Sequence, residues 1–125
     1  MQLFPASDDV QASVTGPDTF ERDAENLFSA IFQNASGTAI DVSAYEFRAE
    51  LFQPDTCQTV TLEMDDGIEF SSDGSDGSVD FSITKAQTNQ FCSGQIIVRI
   101  FNDAGTDPVL LLKGTASVEG KSFDA

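Results

Sequence analysis

The sequence predicts an all-β sandwich with a single short helix. Apolar residues recur with period two in at least six separate segments, Gly, Asp, Asn and Ser punctuate the gaps between them, and no segment of length carries helical periodicity. The segment that organises the rest is Gln95 to Val118, QIIVRIFNDAGTDPVLLLKGTASV. Ile96, Val98 and Ile100 fall on one face, Ile97 and Phe101 on the other. After a polar turn, Val109 to Leu112 is continuously apolar, the pattern of a buried strand. This hairpin needs a second sheet to cover it.

Taken in order, Met1 to Asp9 holds Pro5 and an Asp pair and reads as an N-terminal arm. Its Leu3, Phe4 and Pro5 precede any strand signal. They are the candidate assembly contacts, expected to order only against a neighbour. Val10 to Thr15 alternates as a first strand that Gly16-Pro17-Asp18 ends. Thr19 to Asn26 is polar, with Phe20 as its anchor. In Leu27 to Gln33, Phe28, Ala30 and Phe32 share one face and Leu27, Ser29 and Ile31 the other, before the turn Asn34-Ala35-Ser36-Gly37.

Tyr45 to Phe52 sets Tyr45, Phe47, Ala49 and Leu51 against Glu46, Arg48 and Glu50, the alternation of a half-exposed antiparallel strand. Val60, Leu62 and Met64 repeat it, and Asp65-Asp66-Gly67 turns the chain toward Ile68 and Phe70. Ser71 to Ser78, SSDGSDGS, reads as a flexible polar loop. Val79, Phe81 and Ile83 follow on one face. Thr84-Lys85-Ala86-Gln87 has capping-box spacing and opens a helix of two turns at most, ending by Phe91. Short strands recurring roughly every 8 to 14 residues point to an immunoglobulin-like antiparallel sandwich of about seven to nine strands. Phe47, Leu51, Phe81, Ile83, Val98 and Ile100 are the expected core. One domain over residues 10–119 follows, with the arm 1–9 before it and a polar tail 120–125 after it.

Composition narrows function by exclusion. The 125 residues carry 21 acidic and 6 basic side chains, a net charge of −15, so the phosphates of nucleic acid and an anionic membrane are poor partners. That charge suits a solvated acidic shell or docking on a basic surface. With 11 Phe, one Tyr and no Trp, aromatic burial falls on a side chain without a polar handle. No His is present, so triad and acid–base chemistry lack their usual base. Glu46 and Glu50 have no second acid placed across a cleft from them. No catalytic or cofactor-binding residue is therefore expected.

Cys57 and Cys92 have no CxxC spacing and no His to complete a zinc site, and free thiols are expected over a disulfide. Asp65, Asp66, Asp73, Asp76 and Asp80 gather beside glycines in the composition of a calcium loop. Counting from Asp73, however, Ser78 falls where an EF-hand needs its Gly, and Thr84 where it needs its Glu, so no metal is expected. There is no apolar run of membrane-spanning length and no secretory signal pattern at the N-terminus, which predicts synthesis in a cytoplasm without export. Lys113 and Gly114 interrupt the apolar run after Val109 in the way an exposed strand edge is protected.

LFSAIFQN, GTAIDVSAYEFRAEL, VDFSITKAQTNQF and the closing hairpin ending LLLKGTASV together resemble the small immunoglobulin-like sandwich of tailed-bacteriophage virion proteins. The nearest kind is the N-terminal domain of baseplate upper proteins and related tail, neck and capsid accessory proteins. Asp41 and Ser43 stand in the family's G-x-x-hydrophobic-D-hydrophobic-S position, and Ile83 to Gln90 where it has a short helix before a hairpin. The resemblance spans about residues 10–119, and its motifs are structural rather than catalytic. It implies a virion structural protein made in the host cytoplasm. Such a protein is a non-enzymatic accessory subunit, docked on the capsid as decoration or cement, or on the tail or baseplate. Its partners would be other virion proteins, and it would be a homo-oligomer or lattice-bound. Where tail-fibre members continue into a shaft this sequence ends at Ala125, which favours a stand-alone accessory subunit. The alternative is an extracellular binding module for glycan or cell-surface adhesion, for which a chain with no Trp and one Tyr is poorly equipped.

Overall fold

The structure is a computed structural model and describes residues 1–120, so all of the expected tail but residue 120 lies outside the described residues. Ten strands and one helix follow in order: β1 Gln2–Pro5, β2 Gln11–Thr15, β3 Thr19–Glu21, β4 Asn26–Gln33, β5 Phe47–Gln53, β6 Gln58–Met64, β7 Gly67–Phe70, β8 Ser78–Ile83, α1 Lys85–Thr88, β9 Gly94–Asn102 and β10 Val109–Glu119. Hydrogen bonding runs β1-β10-β9-β5-β6-β7-β8-β4-β2, with β3 also on β10. The fold is an immunoglobulin-like β-sandwich. Its first layer is β1/β3-β10-β9-β5-β6 and its second β7-β8-β4-β2. Between β6 and β7 only Glu63↔Gly67 and Met64↔Ile68 pair, and the Asp65-Asp66 turn there carries the chain from one layer to the other.

Alternation decides which side of each strand enters the core. Phe28, Ala30 and Phe32 of β4 are buried, as are Phe47, Ala49 and Leu51 of β5, and Val79, Phe81 and Ile83 of β8. Ile96, Val98 and Ile100 of β9 complete the pattern. All six expected core residues are among them. Phe side chains join the layers: Phe32 meets Phe47 at 5.2 Å, Phe20 meets Phe28 at 6.0 Å, and Phe28 stacks on Phe81 at 4.6 Å within the second layer. Such ring pairs add about 0.5–1.5 kcal/mol each beyond the area they bury.

The helix forms for the reason its sequence suggests. Thr84 Oγ1 accepts from the Gln87 amide at 3.1 Å while Gln87 Oε1 accepts from the Thr84 amide at 2.9 Å. Thr88 Oγ1 then donates to the Ala24 carbonyl, which ties α1 to the segment after β3.

Four expectations are corrected. The arm Met1 to Asp9 contains β1, a strand of the chain's own first layer, with Gln2↔Thr115, Leu3↔Gly114, Phe4↔Lys113 and Pro5↔Leu112 in register. The cause is Gly114: a Cβ there would lie 1.7 Å from the Gln2 carbonyl oxygen, so glycine is what lets β1 approach. Lys113 and Gly114 therefore do not mark an exposed edge, because β1 and β3 cover that side of β10. The run Val109 to Leu112 is not uniformly buried either. A bulge between Leu110 and Leu112 turns Leu111 and Leu112 inward and leaves Val109 54% exposed. The loop Ser71 to Ser78 is tied down rather than flexible. Buried Gly74 and Gly77, with φ of 88° and 78°, let its backbone bond Val42 and Phe32 at 2.8 and 2.9 Å.

Candidate docking surfaces

The residues singled out for chemistry do not converge. Asp73 Oδ1 accepts from the amide and hydroxyl of Ser75 at 2.9 and 2.6 Å, and Asp76 Oδ1 from the Ser78 amide at 3.0 Å. Asp41 does the same with Ser43. These are turns in which an Asp oxygen holds the backbone two residues on. The hydroxyls of Ser43 and Ser75 hold Asp41 and Asp73 below the usual carboxylate range, and Asn89 does so for Asp23. Cys57 and Cys92 are exposed free thiols. Near them the buried Gln53 side chain bonds both the amide and the carbonyl of Cys92, at 2.9 and 2.8 Å, pinning the β5–β6 hairpin to the segment after α1. No sequence pattern marked Gln53, which occupies an inward position of β5 that alternation would give to an apolar residue.

Glu46 lies just before β5, and its amide is held by Asn102. Glu50 belongs to an ion-pair group on the outer face of the first layer. Arg48 Nε meets Asp103 at 2.7 Å and Arg48 Nη1 meets Glu50, while Arg99 approaches Glu50 at 4.0 Å. Asp103 chiefly, with Glu50, holds the Arg48 guanidinium above its ordinary value. Arg48 also lies over the Phe101 ring at 4.1 Å.

Strand register lays out the rest of that face. One row runs Phe4 on β1, Lys113 on β10, Arg99 on β9 and Glu50 on β5. On one side of it stand Leu110, Phe101 and Arg48, and on the other Thr115, Ile97 and Phe52. Phe4 is 61% exposed. A shallow groove of about 600 Å³ lies along Phe4, Ile97, Leu110, Lys113 and Thr115. Of the three candidate assembly contacts, Phe4 and Pro5 are exposed and line this groove, whereas Leu3 is half-buried against the core.

The outer face of the second layer is acidic where the first mixes both signs. Leu27, 60% exposed, and Ile31, 42% exposed, rise on β4 on either side of Ser29. Ser29 donates to Asp80 on β8 at 2.8 Å, and Asp80 lies opposite Glu69 on β7. A depression of about 630 Å³ is lined by Leu27, Asp65, Asp66, Glu69 and Asp80 with Glu25, and no Lys or Arg among the described residues lines it. The alternation at Leu27, Ser29 and Ile31 is plain in the sequence. The juxtaposition of Asp80 and Glu69 is not, because it depends on the register of β7 on β8.

Comparison with solved structures finds the same sandwich. The Lin-41 filamin domain is similar with a TM-score of 0.55 at 16% identity, over 92% of this chain and 96% of that one. Native alpha-2-macroglobulin of E. coli is similar with a TM-score of 0.55 at 14% identity, over 92% of this chain and 6% of that one. The second likeness is thus to a small part of a much longer protein. At such identities the likeness shows the fold alone. No family model matches the sequence, and no curated protein matches it.

Proposed function

We propose that this chain is a non-enzymatic structural subunit of a tailed-phage virion, docking through the outer faces of its sandwich. The observation that carries the docking reading is the placement of its exposed large apolar side chains. Phe4 stands on the outer face of the first layer opposite Lys113, and Leu27 and Ile31 on that of the second, on either side of the Ser29 that bonds Asp80. A surface of this kind works by burying area against a partner. The shifted titratable groups Asp23, Asp41, Asp73 and Arg48 are committed to turns, side-chain hydrogen bonds and ion pairs, which is structural duty. The virion setting is supported by the sequence resemblance over residues 10–119; the fold is compatible with it and neutral between settings.

Mass spectrometry of gradient-purified virions from a culture producing the chain tests the proposal. The expected result is the chain at stoichiometric copy number, retained through a high-salt wash. Its absence from particles while abundant in the lysate would overturn the virion reading.

A further inference from the structure

We propose that the protein associates with further copies of itself head to tail, the outer face of the first layer of one copy seating on the outer face of the second layer of the next. This deepens the docking reading above by naming the partner, and it rests on that reading only in taking the outer faces as the working surfaces.

Three adjacent strands on each face carry the same order with charges of opposite sign. On the first layer, neighbouring strands present Phe4, then Lys113, then Arg99. On the second they present Leu27 and Ile31 flanking Ser29, then Asp80, then Glu69. Each order reads apolar, charge, charge across adjacent strands, and strand spacing is about 4.8 Å in any sheet. The three positions of one face can therefore meet the three of the other together. Phe4 projects from its strand, and the short Ser29 between Leu27 and Ile31 leaves a saddle that a Phe ring fits. Ser13, Thr15, Ser78 and Ser82 keep the surrounding floor low.

Charge availability favours this pairing over a sheet face that is merely bare. Lys113 is exposed and has no ion-pair partner among the described residues, while Arg99 touches Glu50 only at the limit of contact. Asp80 is bonded to the Ser29 hydroxyl, which leaves its second oxygen to accept, and among the described residues no basic side chain lines the depression around it. The chain has only six basic residues, and three of them, Arg48, Arg99 and Lys113, lie on the outer face of the first layer. A second copy therefore meets both faces at once. A generic basic partner would leave the cations of the first layer unexplained.

The contact is heterologous, so it does not close at two copies and each docked pair still offers one free face of each kind. It is also small. The four strands of the second layer at about 4.8 Å and about five residues at about 3.3 Å give roughly 320 Å² of projected face, below the area of a stable isolated dimer and suited to a contact that repetition reinforces. The net charge of −15 opposes assembly over long range. Association is therefore measured at about 0.15 M salt, where the screening length of about 8 Å damps distant repulsion more than contact pairs.

Analytical ultracentrifugation up to about 1 mM protein tests this with two charge-reversed variants, Arg99→Glu with Lys113→Glu on the first layer and Glu69→Lys with Asp80→Lys on the second. Wild type is expected to show weight-average mass rising past that of a dimer. Each variant alone should associate at least ten-fold more weakly, because its two faces now carry like charge. Mixing the two should restore growth, since every contact in the mixture pairs opposite charges although both variants remain net acidic. Phe4→Glu probes the first face independently and should also weaken wild-type growth, and thermal melts verify that each variant is folded. A wild type that stays monomeric would overturn the proposal and assign the faces to another protein. Folded variants that associate like wild type, or a mixture that stays monomeric, would overturn it equally. Loss of self-association leaves the virion test unaffected, and absence from virions leaves this one unaffected.

Discussion

Replacing Gly114 by Ala should detach β1 without unfolding the sandwich. The new Cβ would stand 1.7 Å from the Gln2 carbonyl oxygen and 2.9 Å from Leu3 Cα, both backbone, so no side-chain rotation relieves the clash. Freed, the strand loses its ladder to residues 112–115 and the bond from the Ala6 amide to the Leu111 carbonyl. Those bonds, net about 0.5–1.5 kcal/mol each, are offset by the backbone entropy the strand regains, about 1–2 kcal/mol per residue. The residual loss is then apolar burial. Leu3 and Met1 are partly buried against the core, and half of about 1.5–3 kcal/mol for each comes to about 2 kcal/mol. At a specific unfolding entropy of about 2.1 cal/mol/K per residue, that lowers the melting temperature by about 8 °C. Gly105→Ala is the control, since its nearest neighbour lies 3.9 Å away. Calorimetry gives the temperature, and hydrogen exchange should show the amides of Gln2, Leu3 and Phe4 exchanging freely while those of β9 stay protected. A Gly114→Ala protein that melts like wild type with β1 still protected would refute the reasoning.

Phe81→Ala should cost about 3–5 kcal/mol in a denaturant titration, because Phe81 is fully buried and stacked on Phe28; a loss below about 1 kcal/mol would mean that the face of β8 is misassigned. Gln53→Leu should cost about 1–3 kcal/mol, since it leaves the buried-side amide and carbonyl of Cys92 without their partner; equal stability would show that water replaces the side chain freely. The turn carboxyls give a signed pH dependence. Asp41 and Asp73 titrate below the ordinary 3.8 in the folded chain, so the stability they contribute is complete above pH 3.8 and is lost as pH falls through their lower folded values. Asn34 makes the same kind of turn with its side-chain oxygen, so Asp41→Asn with Asp73→Asn should keep the turns and flatten the melting-temperature profile below pH 3.8; an unchanged acid profile would dismiss these carboxyls as the cause.

Strands whose inward and outward residues differ in kind were legible from the sequence. In 27–33, 47–53, 78–83 and 96–101 the buried positions are Phe, Ile, Leu, Val or Ala, apart from Gln53, and the outward ones are mostly polar, so burial and local pattern coincide. Where pairing comes from a partner strand, the local pattern is silent. β3 is three residues long with Phe20 its one inward side chain, and it exists because Val118 of β10 offers a parallel neighbour. β1 ends in Pro5 and lacks a run of alternation, and its cause sits more than a hundred residues away at Gly114. Glycine was the residue most open to misreading. In SSDGSDGS its abundance suggests looseness, yet Gly74 and Gly77 are buried because the backbones of Ser43 and Phe32 press against them. The same ambiguity hides the candidate surfaces: Arg99, Lys113, Glu69 and Asp80 look like solvating charges singly, and only register makes them pairs.

The covering of β10 bears on how any partner binds. It is the longest strand, eleven residues, and an open edge along it would invite a foreign strand to extend the layer. β9 pairs with one side of β10, and β1 and β3 divide the other between them. The strand now at that margin is β1, four residues long and ending in a proline that lacks an N–H to donate. Strand addition is thereby blunted where the layer is longest, while the faces keep Phe4, Leu27 and Ile31 in solvent. Recognition on a face is read by side chains, not by backbone ladders, so it responds to reversal of single charges. Reversing Lys113 or Asp80 should change association and leave the melting temperature nearly as it was, whereas a strand-addition mode would be indifferent to both.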